Sequence, residues 1–360
     1  MSEAVRGTGG ATGAAPGQGG GPGGGGAGLL ASWLEILRTQ NLAPGRPMDP
    51  VSRWLLITRA SVFPMTLLSG AIGGLLALAG PHRASFDGLS FGLAVVGILV
   101  AHAANNMIND YFDVQGGVDS AGYVRGQYAP HPILDGLISK RGLLVAIAAA
   151  NVLDLGILLL LAERAGWPVA VFALLGLFIS VFYVAPPVRL KHRGLGEPGV
   201  AVVWGPLMIG GTYFASTGHF EPSVLAASVP YALLVTSVLI GKHIDKLSAD
   251  QSRGIRTLPV ILGEARARFL NQYLMASFFL LVPLLVLTGT LGVATLGVLA
   301  ALPRAIRVIR VAGAPRPQEA PPNFPIWPLW YVAWAFVLTR LAGGLLVLGL
   351  VVDAIWPIRL

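Results

Sequence analysis

The chain has 360 residues, of which 54% are hydrophobic and only 12% are charged, and it contains no cysteine. Soluble proteins carry about 25% charged residues, so this composition excludes an ordinary soluble protein, and the lack of cysteine excludes disulfide frameworks, thiolate zinc sites and cysteine nucleophiles. A net charge of +8 could favour binding to nucleic acid, acidic lipid or an anionic substrate. In a membrane protein, however, basic loops chiefly indicate the orientation of the helices. We therefore expect a polytopic membrane protein that has no nucleic-acid partner.

The first 50 residues differ from the rest of the chain. Residues 1–28 consist mostly of Gly, Ala, Pro and polar residues, which bury too little apolar area to offset the entropy of ordering, so we expect a disordered tail. Residues 29–38 place leucines and Trp33 at helical spacing, which predicts an interfacial helix on the membrane or a helix packed on its own domain. The predicted organisation is a tail and interfacial helix over 1–50, followed by a transmembrane domain over 51–360.

Nine apolar segments follow. A helix that spans a bilayer needs about 20 apolar residues, and all but one of the segments approach this length. They lie near residues 60–80, 89–108, 142–161, 167–184, 198–217, 222–241, 267–288, 290–303 and 329–352. Strand-like alternation is absent, and helices satisfy their own backbone hydrogen bonds in lipid. We predict an all-α fold of about nine transmembrane helices around a central cavity.

The basic residues predict the orientation of these helices. With a cytoplasmic N-terminus, 21 of the 25 Lys and Arg residues fall in cytoplasmic segments, whereas Arg83, Arg164 and Arg359 lie on the other side and Arg340 lies inside the ninth segment. This asymmetry follows the positive-inside rule. We expect an integral protein of the bacterial inner membrane with a cytoplasmic N-terminus.

The first acidic cluster lies at the cytoplasmic end of the second apolar segment. Asn109, Asp110 and Asp113 share one helix face, Asn106 lies one turn deeper, and Asp119 follows the helix. Neighbouring carboxylates repel one another unless a cation binds, and hard oxygen ligands favour Mg²⁺, which can share a substrate phosphate. The pattern predicts a magnesium site facing the cytoplasm, and the alternative is a set of solvated acids at a helix end.

The second cluster follows the sixth apolar segment and mixes acidic with basic residues. Acids can hold a metal while lysine and arginine bind phosphate oxygens, and a diphosphate needs both kinds of partner. The alternative is a basic loop that only sets the topology. The cluster comprises the acids Asp245 and Asp250 and the basic residues Lys242, Lys246, Arg253 and Arg256.

Taken together, these motifs resemble the UbiA-type membrane prenyltransferases over about residues 51–360. Asn109-Asp-Tyr-Phe-Asp113 with the later Asp119 resembles the first aspartate-rich motif of that family. The other matching segments, in family order, are Trp54 with Arg59 and Phe63-Pro64, the loop from Tyr183 through Lys191 to Glu197, Trp204-Gly205-Pro206-Leu207, and Asp245 to Gly263 as the second aspartate motif.

Within the family, the position of Asp119 resembles the 1,4-dihydroxy-2-naphthoate polyprenyltransferases of menaquinone synthesis, as does Gly194-Leu-Gly-Glu197. The second motif departs from the pattern, because its acids are usually i,i+4 whereas Asp245 and Asp250 are i,i+5, about 140° apart around a helix. Alternative acceptors for a prenyl group are 4-hydroxybenzoate, another aromatic compound or a lipid.

The resemblance implies transfer of a polyprenyl group from an allylic diphosphate to an aromatic acceptor, with Mg²⁺ as cofactor. It implies catalytic roles for Asp110, Asp113 and Asp245. The implied metal ligands are Asp110, Asp113, Asp119, Asp245 and Asp250. The implied substrate-binding residues are Asn106, Asn109, Arg59, Lys191, Lys242, Lys246, Arg253, Arg256 and Tyr183.

Other charged residues admit simpler roles. Arg340 and Asp154 lie inside apolar segments, where charges are functional candidates by default, but they could also form a structural pair. His131 lies in a loop and is expected to be an ordinary surface residue. A different class of protein, an ion-coupled transporter with Asp113 and Asp245 as its coupling site, stays open, although no internal repeat of the kind common in transporters is evident.

Overall fold

The computed structural model describes residues 25–43, 45–119, 124–322, 324 and 326–359. Within these ranges the chain is helical and forms no strand, which confirms the predicted all-α class. Most of the predicted disordered tail lies outside the described residues.

Fourteen α-helices are present in the described ranges. Short 3₁₀ turns cover Ala60–Val62, Arg83–Ser85, Val124–Gln127, Leu190–His192 and Val293–Ala301, and a π-helical stretch covers Val203–Gly210. The α-helices are α1 (Gly25–Thr39), α2 (Pro50–Ile57), α3 (Phe63–Ala79), α4 (Gly88–Gln115), α5 (Lys140–Ala165), α6 (Val169–Phe182), α7 (Gly196–Val202), α8 (Gly211–Thr217), α9 (Pro222–Asp245), α10 (Leu247–Ser252), α11 (Leu258–Leu262), α12 (Glu264–Leu287), α13 (Leu302–Gly313) and α14 (Trp330–Ile355).

Seven helices in the described part of the chain are long and apolar enough to cross a membrane. They coincide with seven of the nine predicted segments; the fourth predicted segment is α6, an apolar helix of only 14 residues. The eighth is a 3₁₀ turn followed by α13, which buries Ala305 and Val308 and exposes Arg304 and Arg307. The total of nine spans and the side of the N-terminus therefore stay predictions. The seven spans are Ala60–Ala79, Gly88–Gln115, Lys140–Ala165, Gly196–Thr217, Pro222–Asp245, Glu264–Leu287 and Trp330–Ile355.

Helix α1 packs against its own domain. Ile36 is fully buried, and the indole N–H of Trp33 donates to the carboxylate of Asp49, 3.2 Å away. Asp49 in turn caps α2 by accepting from backbone N–H groups. Leu30 and Leu34 stay exposed on the opposite face, so the same helix can still rest on a membrane surface, as predicted.

The core forms where α9 packs between α12 and α14. Small residues allow the helices to approach closely, which is how helices pack in membranes. A Cβ on Gly73 of α3 would lie 2.5 Å from the carbonyl oxygen of Ile209, and a Cβ on Gly241 of α9 would lie 2.9 Å from the backbone of Tyr331 in α14. Gly241 therefore brings the C-terminal end of α9 against the start of α14.

The segment Gly196–Thr217 is a single span with a π-helical centre. Pro206 lies inside that centre, and because proline lacks the N–H of an α-helical hydrogen bond, it favours this local rearrangement. Val203, Trp204 and Leu207 of this stretch line the large internal cavity described below.

Candidate active site

The first acidic motif lies in the last two turns of α4 and faces two connected cavities. Asn109 borders both cavities, and Asp113, one turn further along the same face, borders the smaller one. The Oδ1 atom of Asn109 is buried and has no hydrogen-bond partner among the described residues. Asn106, one turn deeper, donates through Nδ2 to the backbone oxygen of Thr58 at 2.9 Å and borders the larger cavity. This face therefore presents an unsatisfied oxygen next to a carboxylate.

The carboxylate of Asp110, fully buried, holds two arginines. Arg125 approaches it with two nitrogens, Nη1 to Oδ1 at 2.6 Å and Nη2 to Oδ2 at 3.1 Å, and Arg59 also donates to Oδ1. Both arginines line the smaller cavity. Arg59 adopts a left-handed backbone conformation (φ +54°), which is rare outside glycine and is found at functional sites. Asp110 therefore positions two cations at the cavity.

Asp119 pairs with a residue that was expected to lie on the surface. His131 is only 2% exposed, and its Nε2 lies 3.2 Å from Oδ2 of Asp119, so the expectation of a surface histidine is wrong. Burial raises the pKa of Asp119, but the adjacent imidazole of His131 and the charges of Lys246 and Lys191 outweigh this effect and lower the pKa to about 2. The carboxylate of Asp119 is therefore ionised at neutral pH.

Asp110, Asp119 and His131 also meet the distance requirement for a metal site, because one ligand atom from each lies within 4.8 Å of the others. Asp110 is already neutralised by Arg59 and Arg125, and these guanidinium groups oppose a second cation there. Of the described residues that line the smaller cavity, Asn109, Asp113 and Asp119 carry carboxylate or amide oxygens.

The loop after α6 delivers Lys191 to Asp113. The Nζ atom lies 2.9 and 3.1 Å from the two carboxylate oxygens, and the side chain of Lys191 is buried. The backbone N–H of Lys191 donates to the carbonyl oxygen of Tyr183 at 2.9 Å, which closes the loop. Burial disfavours the charge of Lys191, yet the pKa is raised because Asp113 and Asp250 favour the ammonium form. Lys191 is therefore a charged residue of the site.

The second acidic motif divides between the site and the scaffold. Lys242 and Lys246 line the smaller cavity, whereas Asp250 is fully buried with its Oδ1 4.0 Å from Nζ of Lys246. Arg253 and Arg256 are exposed on the following loop, and the structure does not bring them to the cavity. His243 of the same helix hydrogen-bonds Glu197 at 2.7 Å and also borders the smaller cavity.

Asp245 takes a different role from the predicted one. Its Oδ1 accepts the backbone N–H of Tyr331 and its Oδ2 that of Val332, both at 3.0 Å, so the carboxylate caps the first turn of α14. Asp245 does not line either of the two connected cavities. The structure therefore places the Asp245 carboxylate at the start of α14 and away from the cavities, and its predicted roles as a metal ligand and a catalytic residue stay predictions.

We expect Asp245→Ala to lower the stability of the folded protein by about 1–3 kcal/mol, because two buried N–H groups lose their acceptor. Thermal unfolding in detergent measures this loss. Asp245→Asn keeps an oxygen acceptor and is expected to retain nearly full activity per folded molecule. A strong loss of activity in Asp245→Asn without a loss of stability would return this residue to the metal site.

The smaller cavity, called here the polar pocket, is bounded by the charged residues described above. Its lining includes five cationic residues but only two carboxylates, so it suits an anion. Tyr128 adds a half-buried phenol, and desolvation raises its pKa, so the O–H group stays available as a donor. The lining residues are Arg59, Asn109, Asp113, Asp119, Arg125, Tyr128, Tyr183, Lys191, Lys242, His243 and Lys246.

The larger cavity, called here the apolar cavity, has a volume of about 760 Å³ and extends between the membrane-spanning helices. Its walls come mainly from aliphatic and aromatic residues of α4, α5, α6, the π-helical stretch and α14, and its size is typical of a small-molecule site. Residues common to both cavities mark the boundary between them. They are Arg59, Asn109, Arg125, Tyr128, Tyr183 and Lys242. The charged lining of the polar pocket beside the apolar walls of the larger cavity matches the chemistry of a ligand with an anionic head and a long apolar tail.

Two intramembrane charges line the apolar cavity without pairing with each other. Arg340 donates to the backbone oxygen of Ser61 at 3.0 Å. Asp154 has a buried Oδ1 atom that lacks a hydrogen-bond partner among the described residues. The Arg340–Asp154 pair considered from the sequence does not form.

Sequence reasoning missed Arg125, Tyr128 and His131 as site residues. All three lie between α4 and α5, in a segment without helical periodicity, and only the fold brings them back over α4. The sequence feature that could have indicated these site residues is the presence of basic and aromatic residues shortly after the first acidic motif.

Comparisons with known proteins agree with this geometry. The sequence model of the UbiA prenyltransferase family matches residues 66–327. The chain is 25% identical over 274 residues to the 2-carboxy-1,4-naphthoquinone phytyltransferase of Synechocystis sp., covering 76% of this chain and 86% of that protein. It is 28% identical over 238 residues to the 1,4-dihydroxy-2-naphthoate octaprenyltransferase of Haemophilus influenzae, covering 63% of this chain and 75% of that protein.

Solved structures share the fold. A UbiA homolog from Archaeoglobus fulgidus bound to GPP and Mg²⁺ superposes with a TM-score of 0.56 at 16% identity, covering 82% of this chain and 99% of that chain. The apo structure of a UbiA homolog from Aeropyrum pernix K1 gives a TM-score of 0.60 at 20% identity, covering 81% of this chain and 97% of that chain.

Proposed function

The chain belongs to the UbiA prenyltransferase family, and we propose that it transfers a polyprenyl group from an allylic diphosphate to an aromatic acceptor in quinone biosynthesis. The enzyme class, a membrane prenyltransferase, follows from the family. The observation that carries the substrate assignment is the shared border between the polar pocket and the apolar cavity, which suits a diphosphate head joined to an isoprenoid tail.

Mg²⁺ is the proposed cofactor. The unsatisfied Oδ1 of Asn109 and the carboxylates of Asp113 and Asp119 border the polar pocket, and hard oxygen ligands of this kind suit Mg²⁺, which also binds substrate phosphate. A homologous structure bound to GPP and Mg²⁺ supports the same choice. These three residues would hold the ion, which would supply Lewis-acid stabilisation of the leaving diphosphate.

The residues of the chain itself account for the other requirements of the reaction. Lys191, Lys242 and Lys246 neutralise the diphosphate oxygens, and Arg59 and Arg125, fixed by Asp110, offer guanidinium donors at the cavity border. The allylic C–O bond breaks, and its electron pair leaves with the diphosphate. A carbon of the electron-rich acceptor ring attacks the allylic cation. The ring then loses a proton, or CO₂ where the attacked carbon carries a carboxylate.

The apolar cavity protects the cation from water. Its walls are aliphatic and aromatic, and they also hold the isoprenoid chain. Trp204 and Tyr183 line this cavity, and aromatic rings attract a cation placed over their faces. The same cavity can admit a planar acceptor next to the diphosphate.

Dihydroxynaphthoate is the proposed acceptor. The names of two relatives mention a naphthoate or a naphthoquinone, and this chain aligns with most of the length of each. The position of Asp119 and the Gly194-Leu-Gly-Glu197 segment support the same subtype. By the positive-inside rule, the polar pocket opens to the cytoplasm of a bacterium, where a water-soluble aromatic acid is available.

The test is a product assay on the purified protein with Mg²⁺, using farnesyl and longer polyprenyl diphosphates with dihydroxynaphthoate or 4-hydroxybenzoate. We expect a prenylated naphthalene product with loss of CO₂, identified by mass. Prenylation of 4-hydroxybenzoate alone would replace the naphthoate acceptor and keep the transferase. Failure of folded protein to release diphosphate from any donor would contradict the proposed function.

The pH profile tests the role of Lys246. Burial lowers the pKa of its ammonium from the ordinary 10.5, Asp250 opposes this shift, and Lys191 adds to it. A lowered lysine pKa means that the charge disappears at a lower pH than usual, so kcat/KM for the donor is expected to fall early on the alkaline side. Lys246→Arg keeps its charge and is expected to move this fall to higher pH. An unchanged profile would exclude Lys246 as the titrating group, and Lys140→Arg, at an exposed position, is the control.

A further inference from the structure

Arg340 is a charge inside the membrane span that the transfer steps above do not use. It lies ten residues after the start of α14, and its side chain lines the apolar cavity. No carboxylate of the described residues lies within salt-bridge distance of its guanidinium. A cation within a span is costly without a partner, and residues of this kind mark substrate paths by default.

The structure holds the guanidinium in place from two sides. Nη2 donates to the backbone oxygen of Ser61 at 3.0 Å, and the ring of Phe336, one turn earlier on α14, lies 5.3 Å from the guanidinium carbon. Ser61 is itself fixed, because its hydroxyl donates to Gln40, whose Nε2 donates to the backbone oxygen of Leu56 at 3.1 Å. The remaining N–H groups of Arg340 have no acceptor among the described residues. The residue is exposed, so a ligand can reach these groups.

The position of Arg340 separates it from the diphosphate site. Arg340 does not line the polar pocket, whereas Arg59, two residues before Ser61, borders both cavities. An anion bound at Arg340 would therefore lie in the same cavity as the isoprenoid tail and near the border with the pocket. Arg38, at the end of α1, lines the same cavity and adds a second positive charge to it. A guanidinium with free N–H groups is suited to a carboxylate, which it can bind through two hydrogen bonds.

We propose that Arg340 binds the carboxylate of the aromatic acceptor and so selects aromatic acids over rings that lack the acid group. This inference rests on the proposed function and names the residue that sets its acceptor class. Ser61 and Phe336 position the guanidinium, and Arg38 reinforces the attraction for an anion.

The test compares Arg340→Gln with the wild-type protein on two acceptors, 1,4-dihydroxy-2-naphthoate and 1,4-dihydroxynaphthalene, which lacks the carboxylate. We expect KM for the naphthoate to rise about 10- to 100-fold, the range for a lost charge-assisted hydrogen bond, while KM for the allylic diphosphate stays unchanged. Activity on the carboxylate-free ring is expected to be insensitive to the substitution. Arg340→Lys is expected to recover part of the naphthoate affinity, and Arg307→Gln, at an exposed position on α13, is the matched control.

A binding titration of the naphthoate alone keeps this inference separate from the transferase activity. Weaker binding to Arg340→Gln than to the wild-type and Arg307→Gln proteins supports the carboxylate site even if the donor is not the proposed one. Equal binding to all three proteins, equal losses on both acceptors, or a matching rise in the donor KM would overturn the inference. If Arg340→Gln does not fold, Arg340→Lys replaces it in the comparison. The inference is then overturned if Arg340→Lys has wild-type affinity for both acceptors. It is also overturned if Arg340→Lys binds the naphthoate no better than the residual folded Arg340→Gln protein does.

Discussion

Replacing Asp113 by Asn is expected to lower kcat about 100- to 1,000-fold, the loss found when one group that stabilises developing charge is removed. The carboxylate borders the polar pocket, lies one helical turn from the unsatisfied oxygen of Asn109, and holds the ammonium of Lys191 at 2.9 Å. The amide of Asn carries no charge, so it binds a divalent cation weakly and leaves Lys191 without a counter-charge. Initial rates of diphosphate release in saturating Mg²⁺ measure the effect.

The Asp113→Asn protein is expected to stay folded and inserted in the membrane, which size-exclusion chromatography and thermal unfolding check. Glu264→Gln is the control, because Glu264 is an exposed carboxylate at the start of α12 that lines neither the polar pocket nor the apolar cavity. Full activity of Asp113→Asn would remove this residue from the metal site.

Replacing Lys191 by Met is expected to lower kcat/KM for the donor diphosphate by about 100-fold or more. The change removes one cation from the polar pocket and leaves a buried carboxylate at Asp113 unpaired, and breaking a buried charge pair costs 2–5 kcal/mol or more in interfaces of known energetics. Lys191 is 5% exposed, whereas Lys140, at the start of α5, is exposed, so Lys140→Met makes the same chemical change outside the site.

A second variant separates binding from folding at this position. Lys191→Arg keeps the charge and is expected to restore part of the donor affinity, since a guanidinium also binds phosphate oxygens. If Lys191→Met and Lys140→Met had the same kcat/KM for the donor, Lys191 would contribute only to the membrane orientation of the protein, which the positive-inside rule also allows.

Hydropathy and charge were enough to predict most of the scaffold. Runs of about 20 apolar residues report membrane-spanning helices directly, because lipid forces each segment to satisfy its own backbone. The exceptions have physical causes. Helix α6 is only 14 residues long, and the segment before α13 forms a 3₁₀ turn that ends at an amphipathic helix with exposed arginines. Apolar composition alone does not distinguish these from full spans.

The two acidic motifs show where sequence reasoning stops. Helical spacing placed Asn109 and Asp113 on one face, as the structure has them. Asp245 and Asp250 were both predicted as metal ligands, whereas the acceptor role of Asp245 depends on α14, whose start lies more than 80 residues away in the chain. His131 and Arg125 reach Asp119 and Asp110 only because an irregular segment folds back over α4.

We propose that the polar pocket binds the donor diphosphate together with a divalent cation at Asn109, Asp113 and Asp119. The most direct measurement is a crystal structure with a non-ionising allylic thiolodiphosphate and Mn²⁺, in which anomalous scattering locates the metal. We expect a metal peak at coordination distance from the Asp113 carboxylate, with the diphosphate among Lys191, Lys242 and Lys246 and the isoprenoid chain in the apolar cavity. A metal peak at Asp245, or a diphosphate outside the polar pocket, would contradict it.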